Sequence, residues 1–273
     1  MLRKLLFYVF VFSVVLYANE KVLHFAPLPT KKIEQNIKEF IPLDDYVGPR
    51  LGYKIEYVHL KNYRDILDGF KNGTIDVAYL GPLPFVELYK EYPYAKPIVV
   101  FKQKNGLAKY RCVLSKFAED KLDFSKKIKV ALTQPLSTCG YLMSSKLLRE
   151  KFGVDIAKNY YQYTMSHTNA LTQTLQGKFD IAGAKESIAK KFESLGMQIV
   201  AKSELLPGFA LVVNQKTLSQ SEIKKIQDFL LSLSQEEVKK IGGIIKKGIV
   251  KATLKDYEVL KTNCKIPQIG NMQ

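Results

Sequence analysis

Two short polar runs carry the residue types that can handle charge. Ser137-Thr138-Cys139-Gly140 places two hydroxyls, a thiol and a glycine in consecutive positions, and Ser166-His167 adds a hydroxyl and an imidazole. The first run follows a short apolar strand ending at Leu132. Pro135 stops that strand, Ser137 or Thr138 stands where a helix N-cap belongs, and Met143, Leu147, Leu148 and Phe152 follow at helical spacing. The first turn of a helix leaves backbone N–H groups without partners, and Gly140 lets a ligand approach the main chain closely, so the turn suits an anion. Bare capping is the alternative, because many helices begin with Ser-Thr and bind nothing. The same residues allow a nucleophilic reading. A cysteine at a helix start has a lowered pKa, and Cys139 with His167 as base would make an enzyme. Nothing marks a third residue to orient the histidine, which favours binding over catalysis.

The composition narrows the classes further. At 273 residues the chain is long enough for one large or two ordinary domains. Arg3 and Lys4 precede an apolar stretch from Leu5 to Leu16, with Ala18 as a cleavage point, so residues 1–18 have the layout of a secretory signal peptide. A spanning helix needs about 20 apolar residues, so the stretch is short for a permanent anchor, although an uncleaved anchor is the alternative. Removing those two charges from the formal +16 leaves +14, nearly all of it lysine spread along the chain beside only five arginines. Nucleic-acid binders concentrate arginine with interleaved aromatics, so no nucleic-acid partner is expected. A positive field of this kind gathers small anions or holds a protein near an acidic membrane face. Cys112, Cys139 and Cys264 are an odd number, and a disulfide framework is not expected to supply stability. His24, His59, His167 and the cysteines never approach zinc-ligand spacings, and no metal or cofactor is expected.

The elements that position these residues follow an α/β grammar. A strand from Lys21 runs into a loop broken by Pro27 and Pro29, and an amphipathic helix is expected from about Thr30 to Phe40, then a second helical piece and a strand from Tyr53 to His59. Asn62 caps a helix with Ile66, Leu67 and Phe70 on one face, Gly73 ends it, and Ile75–Leu80 is a buried strand running into Gly81-Pro82, where proline suits a first helical position. The pattern recurs with Ser166 as cap, Gly177 as stop and a strand from Phe179 to Ala184, which suggests two α/β lobes built alike. Strand-like runs at 97–101 and 110–114 flank a hairpin turn at Gln103–Gly106, and Ser219 or Ser221 caps an amphipathic helix reaching Leu233. Short crossings near 112–115 and 207–211 would form a hinge.

Four motifs in series resemble a known family. They are Gly73–Pro82, the Ser137–Leu142 turn, Ser166-His167 with its following Gly-Lys-Phe-Asp-Ile-Ala, and the tail Ala252–Leu260. Together they are similar to the phosphate/phosphonate-binding proteins of ABC importers, the PhnD-like members of the type 2 periplasmic binding proteins. The resemblance spans nearly all of the chain after residue 18. It implies an α/β fold of two lobes joined by two crossover hinge strands, with lobe 1 at 19–114 plus 208–273 and lobe 2 at 115–207. It also implies ligand contacts from Ser137, Thr138, Cys139, Gly140 and His167, and from Tyr79, Leu80, Gly81 and Pro82. Where such proteins have serine this chain has Cys139, a weaker donor. Leu28 stands where an aromatic residue is common, and an acidic residue found after the second-lobe strand would align with Lys185 or Glu186, of which Glu186 is the expected contact.

The function implied is reversible capture of a small oxyanion, most of all a phosphonate or phosphate-like compound, without chemistry on it, and delivery to an ABC permease. A periplasmic monomer is expected. His167 would donate to a phosphoryl oxygen, and its protonation would tighten binding. Tyr79 and Tyr141 are candidates to line the cleft. The alternative role is a ligand sensor that signals to a membrane partner instead of feeding transport.

Overall fold

A computed structural model describes residues 20–29, 33–260 and 266–272. The signal-peptide stretch, the first turn expected at Thr30 and Cys264 lie outside the described residues. The chain begins β1 (Lys21–Pro27), α1 (Ile33–Lys38), α2 (Ile41–Leu51), β2 (Tyr53–Tyr57), α3 (Tyr63–Lys71), β3 (Val77–Leu80), α4 (Pro82–Glu91) and β4 (Ala95–Phe101). It continues through β5 (Lys109–Tyr110), β6 (Cys112–Phe117), β7 (Lys129–Leu132), α5 (Tyr141–Phe152), β8 (Tyr160–Tyr163), α6 (His167–Leu175), β9 (Ile181–Lys185), α7 (Glu186–Ala189) and β10 (Met197–Lys202). The last elements are β11 (Leu206–Pro207), β12 (Ala210–Asn214), α8 (Gln220–Ser232), α9 (Gln235–Ile241) and β13 (Ile249–Lys251).

These strands form two large sheets of one design. The first has the order β13-β4-β12-β3-β1-β2 and the second β10-β6-β9-β7-β8. In the first, β1 is parallel to β2 and β3, and β12 runs antiparallel between β3 and β4. In the second, β7 is parallel to β8 and β9, and β6 runs antiparallel between β9 and β10. The antiparallel strand in each sheet is the one that has just arrived from the other. The doubled grammar of the sequence is thus a doubled topology, and the expected two-lobed α/β class holds.

The local signals landed where side chains supply the missing bonds. Asn62 accepts from the Asp65 N–H at 3.0 Å, and Ser219 forms a capping box with Glu222. The turn at Gln103–Gly106 also forms, with the Gln103 N–H on the Leu107 carbonyl at 2.8 Å, but it does not close a hairpin. β4 pairs with β12 and β13, whereas β6 pairs with β9 and β10. A turn sequence reverses the chain, but both flanking strands are buried and find partners in different sheets.

The turn is therefore part of a crossing. The chain passes between sheets through β5 and returns through β11, and these two strands pair with each other. Gly208 donates to the Ala108 carbonyl at 2.8 Å, and a Cβ on Gly208 would come within 2.7 Å of that oxygen, so the crossings touch only because residue 208 lacks a side chain. Tyr257 in the Ala252–Leu260 tail motif anchors this point, donating its hydroxyl to the Gly208 carbonyl at 3.1 Å. The crossings fall a few residues from the positions expected. A further departure is the C-terminal tail. Ile266 packs in the core of the second sheet, Tyr163 donates to the Pro267 carbonyl at 2.6 Å, and the Tyr161 N–H donates to Asn271 at 2.7 Å, so the last residues lie beside β8 and not with lobe 1. Edge strand β8 has backbone and hydroxyl groups that need partners, and the tail provides them.

One polar pair lies among the apolar side chains beneath the first sheet. Asp44 on α2 accepts a hydrogen bond from the Tyr57 hydroxyl, and burial raises its pKa from 3.8 to about 7 despite that bond. Between these values the unfolded carboxyl ionises while the folded one keeps its proton, so Asp44 makes stability fall as pH rises. An Asp44→Asn variant should gain on wild type by on the order of 1 kcal/mol per pH unit between pH 5 and 7. Chemical denaturation at several pH values checks this, and a constant difference would refute it.

Candidate functional site

The strands place their carboxyl ends toward one another across the crossings. A cavity of about 270 Å³, counting the open solvent at its mouth, lies there, lined on the first-sheet side by Leu28, Tyr63, Gly81, Pro84 and, from the crossings, Tyr110 and Phe209. The second-sheet side contributes Ser137, Thr138, Cys139, His167 and Lys185. Several come from segments just past a strand end: Leu28 follows β1, Gly81 follows β3, the Ser137 turn follows β7 and His167 follows β8. Crevices outside the carboxyl ends of strands are where ligands of open α/β sheets bind.

The Ser137 turn is built differently from the expected cap. Helix α5 starts at Tyr141 with Gly140 at the N-cap position and no side-chain capping bond. Ser137 donates its N–H to the Gln134 carbonyl at 3.0 Å, and Gly140 donates to the Ser137 carbonyl at 2.8 Å, which coils the turn ahead of the helix. A Cβ on Gly140 would sit 2.5 Å from the Gln134 carbonyl oxygen. Gly140 is therefore required by the coil itself and does not line the cavity. Thr138 reaches across to the other side, where its hydroxyl accepts from the Leu83 N–H at 3.1 Å and is also paired with Tyr110.

Cys139 is bonded to Cys112 at the start of β6, with 5.1 Å between their Cα atoms. The expectation that disulfides play no part is corrected for this pair, and Cys139 has no thiol with which to act as a nucleophile. Strand β9 lies between β6 and β7, so the turn has to pass over it to reach Cys112. Gly183 makes the passage possible, since a Cβ there would lie 3.0 Å from the Cys139 carbonyl oxygen and 1.9 Å from the Ser144 hydroxyl.

Ser166 caps α6 as its sequence suggests, accepting from the Asn169 N–H at 3.1 Å, and His167 is the first helical residue. The Lys185 N–H donates to His167 Nδ1 at 3.3 Å, which fixes the neutral tautomer with its proton on Nε2. Burial, with the Lys185 charge beside it, lowers the pKa of His167 to about 3. The imidazole is thus a neutral donor at ordinary pH, and the expected tightening of binding by its protonation is not available above that value. Burial also holds the Tyr63 and Tyr110 hydroxyls well above the phenol range, so both remain neutral. Lys185 hydrogen-bonds the Gln103 amide oxygen, and its ammonium stands 4.9 Å from the Tyr110 ring centre and 5.3 Å from that of Phe209.

Other residues picked from sequence lie elsewhere. Tyr79 stacks on Phe101 at 5.5 Å and contacts Phe209 at 5.5 Å, behind the cavity wall. Leu80 is in the core, and Pro82 and Tyr141 are buried, the latter edge-on to Tyr161 at 5.5 Å. Glu186 pairs with Lys202 at 3.1 Å and Lys190 at 3.5 Å, outside the cavity wall. Tyr63, Pro84, Tyr110 and Phe209 are wall residues that the motifs did not bring out. Tyr63 had a usable signal, since it directly follows an N-cap beyond a strand, whereas Tyr110 and Phe209 depend on where the crossings meet.

Residues 25–257 match the family described as ABC transporter, phosphonate, periplasmic substrate-binding protein. Over 234 residues the chain is 25% identical to the phosphonates-binding periplasmic protein of Escherichia coli K12, covering 78% of this chain and 67% of that one. It is 27% identical over 132 residues to the phosphate-import protein PhnD of Mycolicibacterium smegmatis, a match spanning 46% of this chain and 41%, less than half, of the relative. In structure it is similar to PhnD1 of Prochlorococcus marinus, solved in complex with methylphosphonate, with a TM-score of 0.72 at 16% identity over 89% of this chain and 96% of the other. The shared fold is that of the type 2 periplasmic binding proteins. With its two like sheets, its crossings and a family match running from β1 into the tail motif, the chain belongs to the phosphonate periplasmic substrate-binding proteins of ABC transporters.

Proposed function

We propose that the protein captures a small phosphorus oxyanion, a phosphonate or phosphate-like compound, between two closing lobes in the periplasm and presents it as a monomer to a membrane permease, without chemistry on the ligand. The observation that carries this reading is the cavity wall, where Ser137, Thr138 and His167 from one side meet Gly81 at the start of α4 from the other. Helices α4, α5 and α6 all begin at or beside it, and each helix start favours an anion by about 0.3 to 1 kcal/mol, or up to about 2 when partly buried. The ligand class is supported by the family and by the methylphosphonate held by the Prochlorococcus relative. Lobe 1 is taken as residues 19–114 plus 208–260 and lobe 2 as 115–207 with the C-terminal tail, closing about β5 and β11. In the closed arrangement the Leu83 to Thr138 hydrogen bond, at 3.1 Å, acts as a latch.

Thermal melting against phosphonates, phosphite, phosphate esters, sulfate and carboxylates tests the assignment. A ligand at 100 times its dissociation constant should add about 2.7 kcal/mol of stability. No shift with any phosphorus oxyanion would overturn it. Ser137→Ala should weaken binding of the best ligand at least about tenfold, the lower bound for a lost hydrogen bond to a charged group. Unchanged affinity in calorimetry would remove the turn from the site.

A further inference from the structure

The cavity carries a feature that bears on which phosphorus oxyanion it takes. Among the described residues its wall has one full charge, the Lys185 ammonium, and no carboxylate. The hydroxyls and the imidazole around it are neutral donors. The acid next in sequence, Glu186, is held by Lys202 and Lys190 at 3.1 and 3.5 Å. Lys185 itself is fixed from several directions, by its Gln103 hydrogen bond and by the faces of Tyr110 and Phe209. The same N–H that sets the His167 tautomer belongs to this residue, so the ammonium and the imidazole donor are tied to one strand end. The rest of the wall, Leu28, Pro84 and Phe209, offers only apolar contact to whatever is attached to phosphorus. The space is small, about 270 Å³ even when the open solvent at its mouth is counted.

We propose that Lys185 is the specificity-determining residue of this site, selecting phosphonates whose organic group is short, apolar and uncharged and rejecting those that carry an ammonium. This rests on oxyanion capture in the cavity. A ligand bound through its phosphoryl oxygens to Ser137 and His167 has to place its substituent within the same small space as the lysine. A methyl or ethyl group there meets Leu28, Pro84 and Phe209. An ammonium there meets a like charge, no carboxylate, and loses its water. Like charges about 6 Å apart at an effective dielectric near 20 discriminate by about 100-fold.

The test compares ethylphosphonate with aminomethylphosphonate, which differ by a methyl against an ammonium at equal heavy-atom count. Calorimetry on the full protein is run at mildly alkaline pH, where both phosphoryl groups are dianionic. Wild type should bind ethylphosphonate about 100-fold more tightly. Lys185→Met should weaken ethylphosphonate and bring the two ligands to within about fivefold, and Lys185→Glu should reverse the preference. Circular dichroism verifies folding, and Lys185→Gln replaces either variant that does not fold. Equal affinities in wild type, or a ratio unaltered by the Lys185 variants, would overturn the role of Lys185 while leaving oxyanion capture standing. Failure of wild type to bind either phosphonate, or any other phosphorus oxyanion, would overturn both.

Discussion

Replacing Cys112 and Cys139 together by alanine should cost about 3.5 kcal/mol of stability, the loop-closure value for a link of this span. The two residues are 27 apart in sequence and both are almost fully buried, so the loss is expected without exposure of new polar groups. For a protein of this size the melting temperature should fall by on the order of 10 °C. Denaturation with and without reductant checks the cause. Reduced wild type should approach the double variant, and the double variant should be indifferent to reductant. A variant as stable as the oxidised protein would show that the link contributes nothing. The bond also has a local consequence. It fastens the Ser137 turn to the first residue of β6, and the Cys112 main chain is in turn bonded to Ser203 on the returning crossing, N–H to hydroxyl at 3.0 Å and carbonyl to N–H at 2.9 Å. The Ser137 turn is therefore attached directly to the returning crossing. Breaking the link should weaken ligand binding along with stability, because the turn would have to be ordered by the ligand itself.

Acidification should expose the second large effect, through His167. Its folded pKa of about 3 lies below the ordinary 6.5, so between those values the unfolded chain binds a proton that the folded chain does not. Stability then rises with pH across the window and is lost as pH falls through it, by on the order of 1 kcal/mol per pH unit. Asp44 acts in the opposite sense between 3.8 and about 7, so the two groups largely offset one another in wild type. His167→Gln, which cannot titrate but can still accept from the Lys185 N–H, should uncover the Asp44 slope and lose stability as pH rises from 4 to 6.5 relative to wild type. Asp44→Asn should uncover the His167 slope and make the protein more sensitive to acid. Parallel stability profiles for all three proteins would refute both assignments. Ligand binding between pH 5 and 8 should carry no step from the imidazole, and any step seen there belongs to the ligand's own second ionisation.

Much of the architecture was legible because the signals involved are local. Asn62, Ser166 and Ser219 cap the helices they precede, Pro82 opens α4, and the buried strands follow Gly73 and Gly177 at the same offset in both halves. A side chain that satisfies a neighbouring N–H does so within three residues, and sequence records it directly. The Ser137 turn was also found, but its form was not. The helix starts at Tyr141 because Gly140 packs against the Gln134 carbonyl, a contact that hydroxyl-rich sequence does not announce.

What sequence by itself determined is the set of polar strand-end turns, His167 at the head of α6, and an exported-type α/β chain with the motifs of an anion receptor. Tertiary structure alone decided that Cys112 meets Cys139, that Lys185 and not Glu186 reaches the cavity, that Tyr79 stands behind Phe209, and that the C-terminal tail lies beside β8. Each of these depends on which strands become neighbours. Sheet order brings together residues far apart in the chain, and a shift of one residue along a strand end turns a side chain from the cavity to the opposite face, as Lys185 and Glu186 illustrate.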